Sequence, residues 1–402
     1  MSSSVIEKLS RYYADEIVSH LGSIRDKYAC DPAGVPDEIY EPLLGSTYFH
    51  PQNIGGHAYN GLNKLYLSLV ASSRGWRIPV WMTFDQMLDY GLTVGKGSHT
   101  VPVLFTTARL RDTLTGEIRT DWTIEEYDRM TPDERMDRNL KKTVFFRYYS
   151  VFNIEQTNFG EIYPDAMEEM RSVFNVSVSR CESPLLDDMV ASGSWICPVH
   201  VSADTVTSGY DKERDAIFIH PKERYVSESA YYSELLRGMA RSTGSEMNLD
   251  RDIWSELAVD RIHESLVTEI CAASVGSVLG LDSVMTIRSL DTIDRWMEVV
   301  DRDPSLVYDA MCLARDAAEY TGSVLGIGSP AEVDIRDIIE RHAPGLTSTA
   351  GENREVRQSL REERIREKKE KEKEREKEKK KKKKPWRKAS SAGASASRSK
   401  NR

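Results

Sequence analysis

Gly55-Gly56-His57-Ala58-Tyr59-Asn60-Gly61-Leu62-Asn63 opens the stretch on which the reading of this chain turns. Trp81-Met82-Thr83-Phe84-Asp85-Gln86 follows, then Gly91-Leu92-Thr93-Val94-Gly95-Lys96-Gly97, and then an apolar run over residues 101–107. From residue 55 to 111 aromatic rings (Tyr59, Tyr66, Trp76, Trp81, Phe84, Tyr90, Phe105) alternate with cations (Lys64, Arg74, Arg77, Lys96, Arg109, Arg111), against only Asp85 and Asp89. Holding a single nucleic-acid strand without reading its sequence needs cations for the phosphates and flat faces for the bases. Tyr59, Asn63, Lys64, Arg74, Trp76, Arg77, Lys96 and Arg109 are the candidate contacts. Gly95-Lys96-Gly97 lets backbone and an ammonium approach a phosphate. It is not a Walker loop, since no GxxxxGK[ST] surrounds it. Trp81, Phe84 and Leu88 are expected in the core, and Asn63 and Gln86 have a structural alternative as partners for buried backbone groups.

Outward from this stretch, residues 4–27 repeat apolar side chains at three- and four-residue spacing through Val5, Leu9, Tyr13, Ile17, Leu21 and Ile24, which predicts a helix. Residues 31–60, rich in Gly, Pro and Asn, predict loop, and 61–73 return to helical spacing. Thr83 is placed to cap a short helix ending near Gly91. Residues 101–108 and the aromatic-rich 143–152 predict strands, with the polar residues 109–142 an excursion between them. Farther on, 195–201 and 216–220 predict short strands, and 228–243, 254–279, 290–300 and 304–326 predict helices. No internal repeat is present.

A second constellation combines Asp215-Ala216-Ile217-Phe218-Ile219-His220-Pro221 with Tyr231-Tyr232-Ser233-Glu234-Leu235-Leu236. It continues Arg237-Gly238-Met239-Ala240-Arg241-Ser242-Thr243-Gly244 and, farther on, Glu264-Ser265-Leu266-Val267-Thr268-Glu269-Ile270.

In order and spacing, the first constellation, closed by Val151-Phe152-Asn153-Ile154-Glu155-Gln156-Thr157, resembles the N-terminal ssDNA-binding domain of ArdC-type plasmid antirestriction proteins, a domain also found in TraC-type plasmid primases. The second, with Trp296, Pro304 and the Ala-rich helix after it, resembles the zincin-like metallopeptidase domain that follows in the same family. That family reads His-Glu-x-x-His-Ser-Thr-Gly where this chain has residues 237–244. A zincin helix places two His at i and i+4 to hold Zn²⁺, with Glu at i+1 as general base. Here the ligand positions are Arg237 and Arg241 and the base position is Gly238, and Arg has no lone pair to offer. The resemblance puts the third ligand in the segment of Glu264 and Glu269. Tyr232, Leu236, Ala240, Thr243 and Gly244 still match, a pattern of retained fold and lost catalysis. No catalytic residue, metal ligand set or cofactor is therefore expected. Glu264 or Glu269 is a candidate partner for Arg237 or Arg241 in a bidentate salt bridge; the alternative leaves both Arg side chains in solvent. His200, His220 and His263 have no partner at ligand spacing.

The expected architecture is α+β: an α/β ssDNA-binding domain over 1–160, a zincin-like, mainly helical domain over 161–350, and a charged tail over 351–402, helical or disordered. The net charge of −9 is unevenly spread over the 402 residues. Residues 352–402 carry 22 Lys and Arg against 10 Asp and Glu, net +12, whereas residues 161–351 carry 16 against 34, net −18. Six lysines, Lys379 to Lys384, precede Pro385 and Trp386, a run that suits salt-sensitive attraction to nucleic acid. No apolar run approaches the roughly 18 residues of a membrane span, and no signal peptide is visible. Five scattered cysteines, Cys30, Cys181, Cys197, Cys271 and Cys312, form no CxxC pair and suit a reducing cytoplasm. The expectation is a cytoplasmic, sequence-nonspecific ssDNA-binding accessory protein of a mobile element, antirestriction in type and a pseudopeptidase. Its expected partners are single-stranded DNA and a host restriction or conjugation protein, with no membrane. The alternatives are an active zinc metallopeptidase with unconventional ligands and an acidic protein-interaction scaffold.

Overall fold

The computed structural model describes residues 2–29, 39–41, 51–174, 182–251, 253, 255, 257–281, 285–287, 290–327 and 333–382. Much of the expected loop 31–60, Cys30, Cys181, Trp254 in the expected helix start, Pro385, Trp386 and the Ser/Ala-rich end lie outside these residues. Two compact units result, Met1–Thr347 and Ser348–Arg402.

In the first unit, helix α1 (Ser2–Ala29) buries Leu9, Tyr13, Ile17, Leu21 and Ile24 on one face, as their spacing requires. Strands β1 (Ile39–Glu41) and β2 (Gln52–Asn53) precede helix α2 (Gly61–Ser73). Strand β3 (Val80–Thr83) runs into helix α3 (Phe84–Asp89), whose start is set by a reciprocal capping box between Thr83 and Gln86. Strand β4 (Val101–Asp112), β5 (Ile118–Arg119), helices α4 (Ile124–Arg129) and α5 (Pro132–Asp137), and strand β6 (Leu140–Asn153) follow. The expected polar excursion is thus the outer half of a long antiparallel β4–β6 ribbon, paired from Val101 opposite Val151 to Asp112 opposite Leu140. Its two short helices carry capping boxes, Thr123 with Glu126 and Thr131 with Glu134.

The strands assemble in the order β2-β3-β6-β4-β5, and alternation along them feeds two cores. On one face Trp81, Val101, Val103 and Val151 pack with α1 and α2. On the other, Val80 and Met82 join Ile154, in the turn just after β6, and Phe159, Met167 and Met170 from helices α6 (Phe159–Ile162) and α7 (Pro164–Phe174). Buried Asn153 ties β6 to the approach to β3 by donating from Nδ2 to the Ile78 carbonyl at 2.8 Å.

After helix α8 (Pro184–Ser192), strands β7 (Val199–Val201), β8 (Gly209–Asp211) and β9 (Ala216–Ile219) form a sheet ordered β7-β9-β8. Helix α9 (Glu228–Ser242) packs beneath it and against helix α10 (Ala258–Leu279). Helix α10 is long and apolar enough to cross a membrane, yet here it buries Leu266, Val267, Ile270, Cys271 and Val275 in the core. Strand β10 (Met285–Ile287) pairs with β1, and helices α11 (Leu290–Arg302) and α12 (Ser305–Val324) pack on α1. Helix α13 (Ile335–His342) returns to α7, where Glu169 takes Arg341 at 2.6 Å and His342 at 2.5 Å. Helix α14 (Leu346–Lys382) leads into the second unit and is its described part.

Candidate functional site

Among the sequence-read contacts, Asn63 is engaged in the fold. Its Nδ2 donates to the Leu104 carbonyl and its Oδ1 accepts from the Leu104 N–H, both at 2.7 Å. Among the described residues no strand pairs with this edge of β4 at Leu104, so Asn63 satisfies its backbone there and pins α2 to the sheet. Tyr59 is mostly covered, and burial pushes its phenol up to about 12. Lys64 is partly buried, which lowers its pKa against the opposing pull of Glu319, and it lines a cavity of about 370 Å³ between α2, α10 and α12. Arg74 pairs with Glu16 at 3.2 Å and lies over the Trp76 ring, 5.2 Å from its centroid, while Trp76 meets Trp81 edge-on. Arg77, Lys96 and Arg109 are exposed. The expected core assignment holds for Trp81, which is fully buried, and fails for Phe84 and Leu88, 53% and 46% exposed, because α3 turns that face outward. Gln86 serves the backbone, accepting from the Thr83 N–H at 2.9 Å.

Exposed rings and cations instead come together on the β4–β6 ribbon. Residues directly opposite in an antiparallel pair share a face. One face therefore carries Val103 with Tyr149, Phe105 with Arg147, Thr107 with Phe145, Arg109 with Thr143 and Arg111 with Lys141. Val103 is buried, but two residues on Phe105 is 41% exposed and Tyr149 46%, their ring centroids 5.2 Å apart. The Arg109 guanidinium lies over Phe145, 5.6 Å from the ring centroid. Sequence reading recognised residues 143–152 as β-rich and aromatic but did not connect Phe145, Arg147 and Tyr149 to Phe105 and Arg109. That connection depends on strand register, which local composition does not contain.

The second constellation gathers around α9. Arg237 is held by two carboxylates: NH2 to Glu234 at 2.6 Å, and NH1 to Glu269 on α10 at 3.5 Å. Burial opposes the Arg237 charge, but Glu269 and Glu234 outweigh it and its pKa rises. Burial raises the pKa of Glu269, with Arg237 pulling the other way. Arg241 lines the same cleft of about 370 Å³, with Gly238, Thr268 and Trp296. Glu264 faces elsewhere: it takes Arg251 Nε at 3.4 Å and NH2 at 3.0 Å, both side chains only 3% exposed. Arg251 also donates to Thr243 Oγ1 and the Ala240 carbonyl, each at 2.9 Å. Sequence reading missed Arg251, because only the packing of α9 on α10 brings it to Glu264.

The residues matching the family turn out to hold the fold. Tyr232 donates to Asp187 at 2.9 Å and accepts from Lys222 at 2.7 Å and from the Ser183 N–H at 3.0 Å. At Gly244 a Cβ would come within 2.5 Å of Ile253 Cγ2 and 3.0 Å of Arg251 NH2. At Gly238, where a zincin carries its general base, a Cβ would come within 2.8 Å of Ile217 Cγ2 on β9. The donors do not fit zinc: guanidinium groups occupy the two histidine positions, and they carry charge without a lone pair. Among the described residues, no group of three or more His, Cys, Asp or Glu side chains could hold a metal ion.

A helix beneath a three-stranded sheet, crossed by a second helix that supplies a carboxylate, defines a zincin-like module, here joined to a five-stranded α/β module. Residues 40–152 match the N-terminal domain of anti-restriction factor ArdC, and residues 197–312 match a zincin-like metallopeptidase domain. These two domain matches, in this order, support an ArdC-type family for the chain. It is similar in fold to the crystal structure of the antirestriction ArdC protein from plasmid R388 in its metal-free form, at 22% identity and a TM-score of 0.51, covering 80% of this chain and 99% of that one. It is also 24% identical over 293 residues to a DNA primase TraC of Escherichia coli, covering 70% of this chain and 18% of the primase. A second Escherichia coli DNA primase TraC is 25% identical over 295 residues, with 71% of this chain and 25% of the primase covered. The chain thus spans a quarter or less of the length of these curated relatives.

Proposed function

We infer that this chain is a sequence-nonspecific single-stranded DNA-binding accessory protein of a mobile element, antirestriction in type, whose zincin-like domain has no peptidase activity. The observation that carries this reading is an ArdC N-terminal domain joined to a zincin-like domain with Arg237 and Arg241 at the ligand positions. Arg237, tied to Glu234 and Glu269, engages a carboxylate of the α10 segment in which the resemblance puts the third ligand. Without Glu at 238 there is also no general base to activate a water. The names of the relatives, an antirestriction protein from a plasmid and DNA primases, support a setting in which incoming single strands are handled.

Two measurements on the purified full chain test both halves of this reading. Elemental analysis is expected to find no stoichiometric zinc; about one zinc per chain, lost on mutating Glu269, would revive the metallopeptidase. Titration with matched single- and double-stranded oligonucleotides is expected to favour the single strand. Equal affinities would remove the DNA half of the reading and favour the acidic scaffold, which the net charge of −18 over residues 161–351 otherwise supports on its own.

A further inference from the structure

The two ends of the β4–β6 ribbon face have different surroundings. At its base Val101, Val103 and Val151 are in the core, while beyond Val103 the face emerges into solvent at Phe105, Tyr149, Arg147 and Arg109. Along the ribbon, Tyr149 and Phe105 are followed by Arg147, then by Phe145 with Arg109 over it. Successive positions on one face of a strand are about 6.7 Å apart, so rings and guanidinium groups alternate on the scale of one extended nucleotide. No acidic residue stands on this face between Val101 and Arg111 or between Lys141 and Val151. Among the described residues no ion pair engages Arg109, Lys141 or Arg147, whereas Arg74 is already paired with Glu16. An exposed ring offers a stacking surface to any base, but only to a base that is not paired within a duplex.

We propose that single-stranded DNA lies along this face of the ribbon, its bases against Phe105 and Tyr149 and its phosphates against Arg147 and Arg109. The proposal rests on the single-strand-binding reading above and moves the contact surface from residues 59–77, which the fold largely engages, to the register-matched pairs of β4 and β6.

The test titrates the full-length chain with fluorescein-labelled oligothymidine at several salt concentrations and follows anisotropy. Phe105→Ala and Tyr149→Ala are each expected to weaken binding about tenfold, as loss of a stacked base does, while Tyr149→Phe, which keeps the ring, stays at the wild-type level. Arg147→Gln is expected to flatten the slope of log K against log salt by about 0.7, one phosphate contact on a single strand, and to cost more affinity than Arg77→Gln or Lys96→Gln. Thermal unfolding of each variant at the wild-type temperature separates lost contact from lost fold. A variant that unfolds early is replaced by the comparison of Tyr149→Phe with Tyr149→Leu, which changes stacking while keeping bulk. Wild-type binding left intact by the ribbon variants, or reduced more by Arg77→Gln or Lys96→Gln, would overturn this placement and leave the broader reading standing. A wild-type chain that does not bind the single strand would overturn both.

Discussion

Two glycines show how closely α9 is fitted into its surroundings. Gly238 lies against Ile217, where a Cβ would sit 2.8 Å from Cγ2, and Gly244 lies against Ile253 and Arg251. Overpacking a closed site of this kind costs about 1–3 kcal/mol. Gly238→Ala is therefore expected to lower stability by that amount in urea denaturation. Combined with Ile217→Ala, it should show favourable coupling in a double-mutant cycle. Gly244→Ala is expected to cost more, since its neighbours include the guanidinium that Glu264 and the Ala240 carbonyl hold. A wild-type urea midpoint for Gly238→Ala would mean that β9 yields freely. The same crowding implies that Glu cannot be returned to position 238 without moving Ile217.

At the scale of elements, α9 and α10 are joined by two ion-pair systems that differ in redundancy. Arg237 has two carboxylates, Glu234 and Glu269, whereas Arg251 has Glu264 with neutral acceptors around it. Removing the carboxylate that holds a buried charge costs about 3–5 kcal/mol. Glu264→Gln is expected to fall in that range, while Glu269→Gln, which leaves Glu234 on Arg237, stays within about 1 kcal/mol. The Glu234→Gln, Glu269→Gln double variant should lose much more than its singles together. Equal losses for Glu264→Gln and Glu269→Gln in chemical denaturation would contradict this division. The elements themselves were largely legible. Helices α1, α2, α9, α11 and α12 follow the apolar spacing, and α3 begins at the expected cap. The outer ribbon was not, because its strands are polar on exposed faces and lack the alternation that marks a half-buried strand. The capping boxes Thr123-x-x-Glu126 and Thr131-x-x-Glu134 were readable signals that the polar appearance of the excursion masked.

At the scale of the whole chain, charge is segregated between a first unit that is strongly acidic in its second half and a tail of net +12. Deleting residues 352–402 removes a stretch outside the compact unit Met1–Thr347. The expected result is a weaker attraction to single-stranded DNA and a flatter dependence of log K on log salt, because fewer counterions are released on binding. An unchanged salt slope would make the tail a bystander. By itself the sequence determined the α+β class, most of the elements, the likeness to ArdC-type proteins and the residues Arg237, Gly238 and Arg241 that stand where a zincin motif reads His, Glu and His. Each of these is written in local spacing or in the identity of single residues such as Arg237 and Arg241. Tertiary structure alone decided which carboxylate meets which arginine, that Gly238 has no room for a side chain, and which rings and cations share a face. Those facts depend on strand register and on helix packing, between residues that lie up to a few tens of positions apart and belong to different elements. Register and packing are set by burying the apolar faces of all the elements together, which no local stretch specifies.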